Sequence, residues 1–216
     1  MLIAGIDDSG RGPVLGPMIL AGVLIDEKDE HKLKDIGARD SKTLTPKRRE
    51  ELAKKIKKIV KSYHIVIIPA SEIDHKLAHG INLNDIEALK AAEIIDKLNP
   101  EKVILDCPSN NKKAWKNKVF EHIKNKKAEL ICEHKADRDY ITVSAASILA
   151  KVTRDQEVEK IQKMVPFPIG SGYPSDPITK KFMKEHLDEY EDLFRKSWST
   201  FQNHKEGKKQ KNLNDF

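Results

Sequence analysis

Leu2-Ile3-Ala4-Gly5-Ile6-Asp7-Asp8-Ser9-Gly10-Arg11-Gly12 is the stretch that decides how the chain is read. Leu2 to Asp7 has the length and apolar content of a short, mostly buried strand, with Asp7 closing it. Two adjacent carboxylates repel each other unless a cation lies between them or water screens them. Side chains alternate across a strand, so Asp7 and Asp8 share one site only if the chain twists or turns at Asp8. Ser9 and Gly10 are where that turn is expected. Gly10, Arg11 and Gly12 then form a loop whose backbone can approach a phosphate closely, with the arginine fork available to charged oxygens. It is not a Walker A loop, since no Gly-Lys-Ser/Thr closes it.

Outward from this stretch, strands and helices alternate. Met18 to Ile25 reads as a second strand, and Asp26 to Asp35 as charged loop or a short helix. Thr45 followed by Pro46 fits an N-cap and first helical position, with Leu52, Ala53, Ile56, Ile59 and Val60 at helical spacing. His64 to Ile68 is a β-branched run for a third strand. Asn84 with Glu87 fits an Asn-led capping box for a helix reaching Leu98, where Asn99-Pro100 stops it. Lys102 to Asp106 predicts a fourth strand, Trp115 to Ile123 a helix, and Leu130 to Glu133 a fifth strand. A long helix is expected from near Tyr140 to Met164. Prolines and glycines from Pro166 to Pro177 interrupt the chain, and a helical, lysine-rich tail follows. The pattern predicts an α/β fold, a mixed sheet covered by helices, with a catalytic domain over 1–176 and a small helical region over 177–216.

With 216 residues, 38% hydrophobic and 34% charged, the chain can bury one sizeable core. Its net charge of +6, from 40 Lys and Arg against 34 Asp and Glu, permits a polyanionic partner without proving one. Cys107 and Cys132 are isolated, which argues against a disulfide or zinc site and for a reducing compartment. No apolar run approaches a membrane span and no positive leader opens the chain, so a cytoplasmic protein without membrane attachment is expected.

Asp7 and Asp106 close strands, and Asp137 lies just after the fifth, where the long helix begins. Strand ends are the usual place for a site in an α/β sheet. Carboxylates brought together there suit Mg²⁺ or Mn²⁺, and two such ions can hydrolyse a phosphodiester. Taken singly, each aspartate also fits a turn former or helix cap. Asp40-Ser41-Lys42 precedes a helix whose amides can attract an anion. Ser147 and Lys151, four apart on one helix face, can jointly touch a phosphate. Tyr173 sits in a stiff loop, where a ring can stack on a sugar or base.

Taken together, these blocks resemble the type 2 ribonucleases H, especially the archaeal enzymes. The resemblance runs from Gly5 to about Asn203. It rests on the Gly-Ile-Asp-acid-x-Gly-Arg-Gly opening, Asp40-Ser41-Lys42, Asp106, His134-Lys135-Ala136-Asp137, Ala145 to Val152, Gly170 to Pro177, and Ser197-Trp198-Ser199-Thr200. It implies a ribonuclease H-like fold, a five-stranded mixed sheet flanked by helices with a small helical C-terminal extension. It also implies cleavage of RNA–DNA hybrids and incision at single ribonucleotides in duplex DNA. By matching positions, Asp7, Asp8, Asp106 and Asp137 become the catalytic, metal-binding acids, for Mg²⁺ or Mn²⁺. Gly10, Arg11 and Gly12 become the loop sensing the ribose 2′-OH, and Tyr173 the ring stacking on the next sugar. Lys42, Ser147 and Lys151 become phosphate contacts. A monomer is expected; a sliding clamp is a candidate partner, for which the terminal Leu213-Asn214-Asp215-Phe216 supplies no extended consensus.

Arg11 and a start at the first strand favour type 2 over the sister type 3 enzymes, while Ser9, usually alanine in type 2, points the other way. A non-catalytic nucleic-acid-binding module with this fold is the further alternative. The departure from the family is Asp8, where glutamate is usual; its shorter arm suits the looser geometry of Mn²⁺ better than that of Mg²⁺.

Overall fold

The computed structural model describes the backbone of residues 1–39 and 44–214, with side chains as far as Gly207. The Asp40-Ser41-Lys42 block, and with it the phosphate contact expected of Lys42, lies outside the described residues, as do Asp215 and Phe216. The strands are β1 (Leu2–Ser9), β2 (Met18–Asp26), β3 (Ser62–Ile68), β4 (Lys102–Asp106) and β5 (Glu129–Glu133). The helices are α1 (Glu30–Asp35), α2 (Pro46–Ile59), α3 (Ala70–Ala78), α4 (Leu83–Leu98), α5 (Lys112–His122), α6 (Ala136–Asp139), α7 (Ile141–Met164), α8 (Pro177–His186) and α9 (Ser199–Asn214). The chain divides into two compact units. One gathers residues 1–9, 19–67 and 82–154, and the other 10–18, 68–81 and 155 onward.

The first unit is built on a five-stranded sheet of order β3-β2-β1-β4-β5. β1 runs antiparallel to β2 and parallel to β4, and β4 runs parallel to β5. The mixed sheet expected from the alternating pattern is therefore present. On one face, Ile19, Ala21 and Val23 of β2 pack with Leu52 and Ile56 of α2 and with Ile148 and Leu149 of α7. On the other, Gly22 of β2 lies against Ile94 and Leu98 of α4. α5 is tied to α4 by its buried Trp115, whose indole Nε1–H donates to the Asn84 carbonyl at 3.0 Å.

Local signals explain most boundaries. Thr45 accepts from the Arg48 amide and caps α2, with Pro46 at its first position, as the sequence predicts. α4 starts two residues earlier than the expected Asn84 cap. Asn82 is the N-cap: its Oδ1 accepts from the Asp85 amide at 3.1 Å, and its Nδ2 donates to the Asp85 carboxylate at 2.9 Å. Glu87 is left as a buried helix residue rather than a cap partner. Asn99 ends α4 in the left-handed region, φ 49°. β1 continues two residues past its expected end, pairing Asp8 with Leu20 and Ser9 with Ile19. The expected turn at Asp8 is absent, because two further β1–β2 pairs hold the strand extended.

In the second unit Val14, Leu15, Phe182, Phe194 and Phe201 form an aromatic-rich core, joined by an isolated bridge between Leu15 and Phe194. α3, which the sequence pattern did not announce, belongs to this unit. Its Asp74 accepts from the Lys196 amide at 2.8 Å and the Ser197 amide at 3.0 Å. Among the described residues, no helix is long and apolar enough to cross a membrane.

Gly5 controls how α7 meets the sheet. A Cβ added there would lie 2.3 Å from the Thr142 carbonyl carbon and 2.5 Å from the Val143 amide nitrogen. Backbone cannot yield as a side chain can. Gly5→Ala is expected to cost about 3 kcal/mol by overpacking, read as a lowered urea midpoint with an unchanged slope.

Candidate active site

The parallel pairing of β1 with β4 assembles the acids. Ile6 lies opposite Leu105, so Asp7 and Asp106 are the next residues of neighbouring strands, Asp106 at the end of β4 and Asp7 two residues before the end of β1. Gly5 faces α7, and the two-residue period of the strand turns Asp7 to that same side. There Asp7 accepts a hydrogen bond from the Ser147 hydroxyl of α7. Burial of Asp7 pushes its carboxyl well above the usual range, and the neighbouring charges of Asp8 and Asp106 push it further. The Ser147 hydroxyl and the Asp8 amide, which donates to Asp7 Oδ1 at 2.8 Å, work in the opposite direction.

Because β1 does not turn at Asp8, the Asp8 side chain leaves the opposite face of the strand. It still borders one small cleft with Asp7 and Asp106, and α4 closes that cleft with Glu87 and Ala91. Glu87 is 2% exposed and is the carboxylate that sequence reading assigned to a cap. Ala91 and Ile94, four and seven residues on along the same helix face, were the available signal for burial.

Asp137 is placed by a different device. The Asp106 carboxylate accepts from the Ala136 amide at 2.7 Å, one residue before Asp137. The Cys107 amide donates to the Glu133 carbonyl at 2.9 Å, and His134 Nδ1 lies 3.1 Å from the Cys107 carbonyl. These bonds, with Lys135 at φ 57°, lead the chain from β5 into α6. Asp137 does not border the cleft that Asp7, Asp8 and Asp106 share. Among the described residues, no group of three or more His, Cys, Asp or Glu side chains is arranged to hold a metal ion. The donor chemistry nevertheless fits a hard divalent cation: every acid is a carboxylate, and Asp7 is a buried one in the field of two others.

The second unit holds the glycine loop and Tyr173. Gly10 has φ +86°, a conformation that favours glycine. A Cβ added at Gly12 would sit 3.7 Å from Tyr173 Cε1, so loop and ring are neighbours, with Tyr173 40% exposed. The Gly172 carbonyl accepts from the Val14 and Leu15 amides at 2.9 and 3.3 Å. Asp176 fastens the Tyr173 loop by accepting from the Ser171 amide at 2.6 Å, the Ser171 hydroxyl at 2.7 Å and the Ile178 amide at 2.9 Å. The Ser171 amide above all draws its carboxyl down to about 2.

Sequence reading missed Arg195, which is fully buried. Its guanidinium donates to the carbonyls of Gly10 at 2.6 Å, Arg11 at 3.0 Å and Gly16 at 3.0 Å, and it lies 4.8 Å from the Trp198 ring. Trp198 is thus a platform for this arginine, and it also packs against the aromatic core of the second unit.

The ribonuclease HII family profile matches residues 4–201. The chain belongs to the ribonuclease HII family. It is 47% identical over 203 residues to ribonuclease HII of Methanobrevibacter smithii, covering 93% of this chain and 96% of that one. Ribonuclease H2 from Pyrococcus horikoshii OT3 superposes with a TM-score of 0.87 at 40% identity, covering 95% and 98%. Ribonuclease HII of Archaeoglobus fulgidus, solved in a complex with PCNA, gives a TM-score of 0.84 at 35% identity, covering 92% and 96%. As a member of the ribonuclease HII family the chain is an endoribonuclease of RNA–DNA hybrids, dependent on divalent metal. The fold is the ribonuclease H-like one that the sequence blocks imply.

Two outcomes follow for this site. The raised Asp7 carboxyl means the folded state loses stability as pH rises through its folded value and keeps it below the ordinary 3.8. In chelator at neutral pH, Asp7→Asn is therefore expected to raise the melting temperature, a gain that fades as pH falls towards 3.8. Arg195→Met is expected to cost about 2–4 kcal/mol, because three carbonyls lose a charged donor. Hydrogen exchange at the amides of residues 10–16 checks whether the loss is centred there.

Proposed function

We propose that the chain cuts the RNA strand of RNA–DNA hybrids and incises duplex DNA on the 5′ side of a single embedded ribonucleotide, leaving 5′-phosphate and 3′-hydroxyl ends. Two divalent cations are held by Asp7, Asp8, Asp106 and Asp137 in this reading. The observation that carries it is the adjacency of Asp7 and Asp106 just past the last pair of the parallel β1–β4 ladder, where burial and like charge leave Asp7 in want of a cation. The chemistry such ions supply when bound is activation of an attacking water and stabilisation of the departing 3′ oxygen. The carboxylates act as oxygen donors that fix geometry, and no histidine base is needed. His134 already meets the Cys107 carbonyl, which suits a structural role.

Gly10, Arg11 and Gly12 read the ribose 2′-OH through backbone groups and the guanidinium, and Tyr173 stacks on the sugar beyond it. Asp8, with its short arm, favours Mn²⁺ over Mg²⁺. The enzyme acts as a cytoplasmic monomer. The Archaeoglobus fulgidus relative solved with PCNA supports a sliding clamp as its partner.

One labelled DNA duplex carrying a single ribonucleotide, incubated with Mg²⁺, Mn²⁺ or chelator, tests the reading. Incision 5′ of the ribonucleotide is expected with metal only. Asp7→Asn and Asp137→Asn are each expected to lower turnover at least about a thousandfold while duplex binding persists; turnover retained in either would remove that acid from the site. Tyr173→Ala is expected to weaken junction cutting far more than duplex affinity, which lysines supply through phosphate contacts. Initial rates across metal concentration decide the ion, and equal efficiency with both would remove the Mn²⁺ preference.

A further inference from the structure

Ser147 and Lys151 lie one helical turn apart on α7, but they are not equally placed to meet a substrate. Ser147 is 1% exposed, and its hydroxyl donates to the Asp7 carboxylate. The Lys151 ammonium donates to the Ser147 oxygen at 3.1 Å. A hydroxyl owns one proton and two lone pairs. Given to Asp7, that proton leaves the lone pairs for Lys151, so both bonds run in one direction, from ammonium through hydroxyl to carboxylate. Bonds aligned in this way polarise one another. A phosphate oxygen has no way to the Ser147 hydroxyl without opening the helix–sheet contact and taking the proton from Asp7.

The Asp7 carboxylate is also gripped from its own strand, by the Asp8 amide at 2.8 Å on Oδ1. Two donors from different elements hold it against rotation in the field of Asp8 and Asp106, and one of them carries the lysine's charge at one remove.

We propose that Ser147 and Lys151 are positioning residues, which fix the orientation of the Asp7 carboxylate through a lysine–serine–aspartate relay instead of contacting the substrate backbone. The role rests on Asp7 belonging to the reactive centre. It applies to the chain's own donors, so it exists before any cation or nucleic acid arrives.

The full chain is compared as Lys151→Met, Ser147→Ala and Ser147→Thr, with Asp7→Asn as reference. Lys151 is half-exposed, so its variant should fold even if Ser147→Ala does not. Lys151→Met and Ser147→Ala are expected to lower kcat about tenfold or more with KM within about twofold. They should shrink the rise in melting temperature produced by Mn²⁺ alone. Affinity for a hybrid duplex in chelator should keep its slope against salt. Ser147→Thr, which retains the hydroxyl, should restore both kcat and the Mn²⁺ response. If Lys151→Met instead raises KM and flattens the salt slope by about one unit, the lysine contacts phosphate and the proposal fails. An unchanged kcat and Mn²⁺ response in Lys151→Met, with Asp7→Asn inactive, overturns the relay alone. Turnover in Asp7→Asn removes the reactive centre, and the relay with it.

Discussion

The parallel pairing of β1 with β4 forces Asp7 and Asp106 into one another's field, and the rest of the first unit is arranged around that repulsion. Hydrogen bonding along a sheet fixes register regardless of what the side chains prefer, so the backbone ladder overrides an unfavourable contact between carboxylates. Burial deepens the cost. Gly5 then lets α7 come close enough for Ser147 to reach Asp7, and Asp106 spends an oxygen on the Ala136 amide, directing the chain into the helix that bears Asp137. Asp7 and Asp106 are thus each restrained by a donor, while burial keeps Asp7 costly to ionise. Such a site is less stable than its amide counterpart would be, and a function that needs the charges is the reason to keep them.

The second unit solves a different problem. A loop rich in glycine has little side-chain surface to hold it, so its shape must be imposed on its backbone. Arg195 does this with three bonds to carbonyls, and Gly172 with two to amides. Tyr173 keeps its ring outward because its own loop is clamped by Asp176. Positional accuracy of exposed groups is here a product of bonds made to buried ones.

The sequence made Asp7 and Asp106 legible as neighbouring candidates, because their chemistry and their places late in two strands point the same way. Asp106 ends its strand as expected, and the five strands were all foreseen with small shifts of boundary. What was hidden depended on partners distant in the chain. Asn82 and Asn84 both stand three residues before an acid, and only the start of α4 at Leu83, which presents the Asp85 amide to Asn82, distinguishes them. α3 has no side-chain cap bond and is held by contacts such as that of Asp74 with the segment at Lys196. Asp8 changed face because two extra pairs with β2 kept the strand from turning. Arg195 looked like one more cation among 40 Lys and Arg. Its burial is set by the carbonyls it meets, which no local pattern announces.

Arg195 and Gly10 are 185 residues apart in the chain. A contact of that span closes only after the whole stretch between the two residues has been made, and contacts so distant form late in folding. Until then the glycine loop lacks the clamp that gives it shape. The acids of β1 and β4 can meet much sooner, since both strands precede α7. An unfinished chain therefore carries its charged pair before it carries an ordered loop. Synthesis itself delays the ordering of that loop until Arg195 is made, a timing written into the order of residues along the chain.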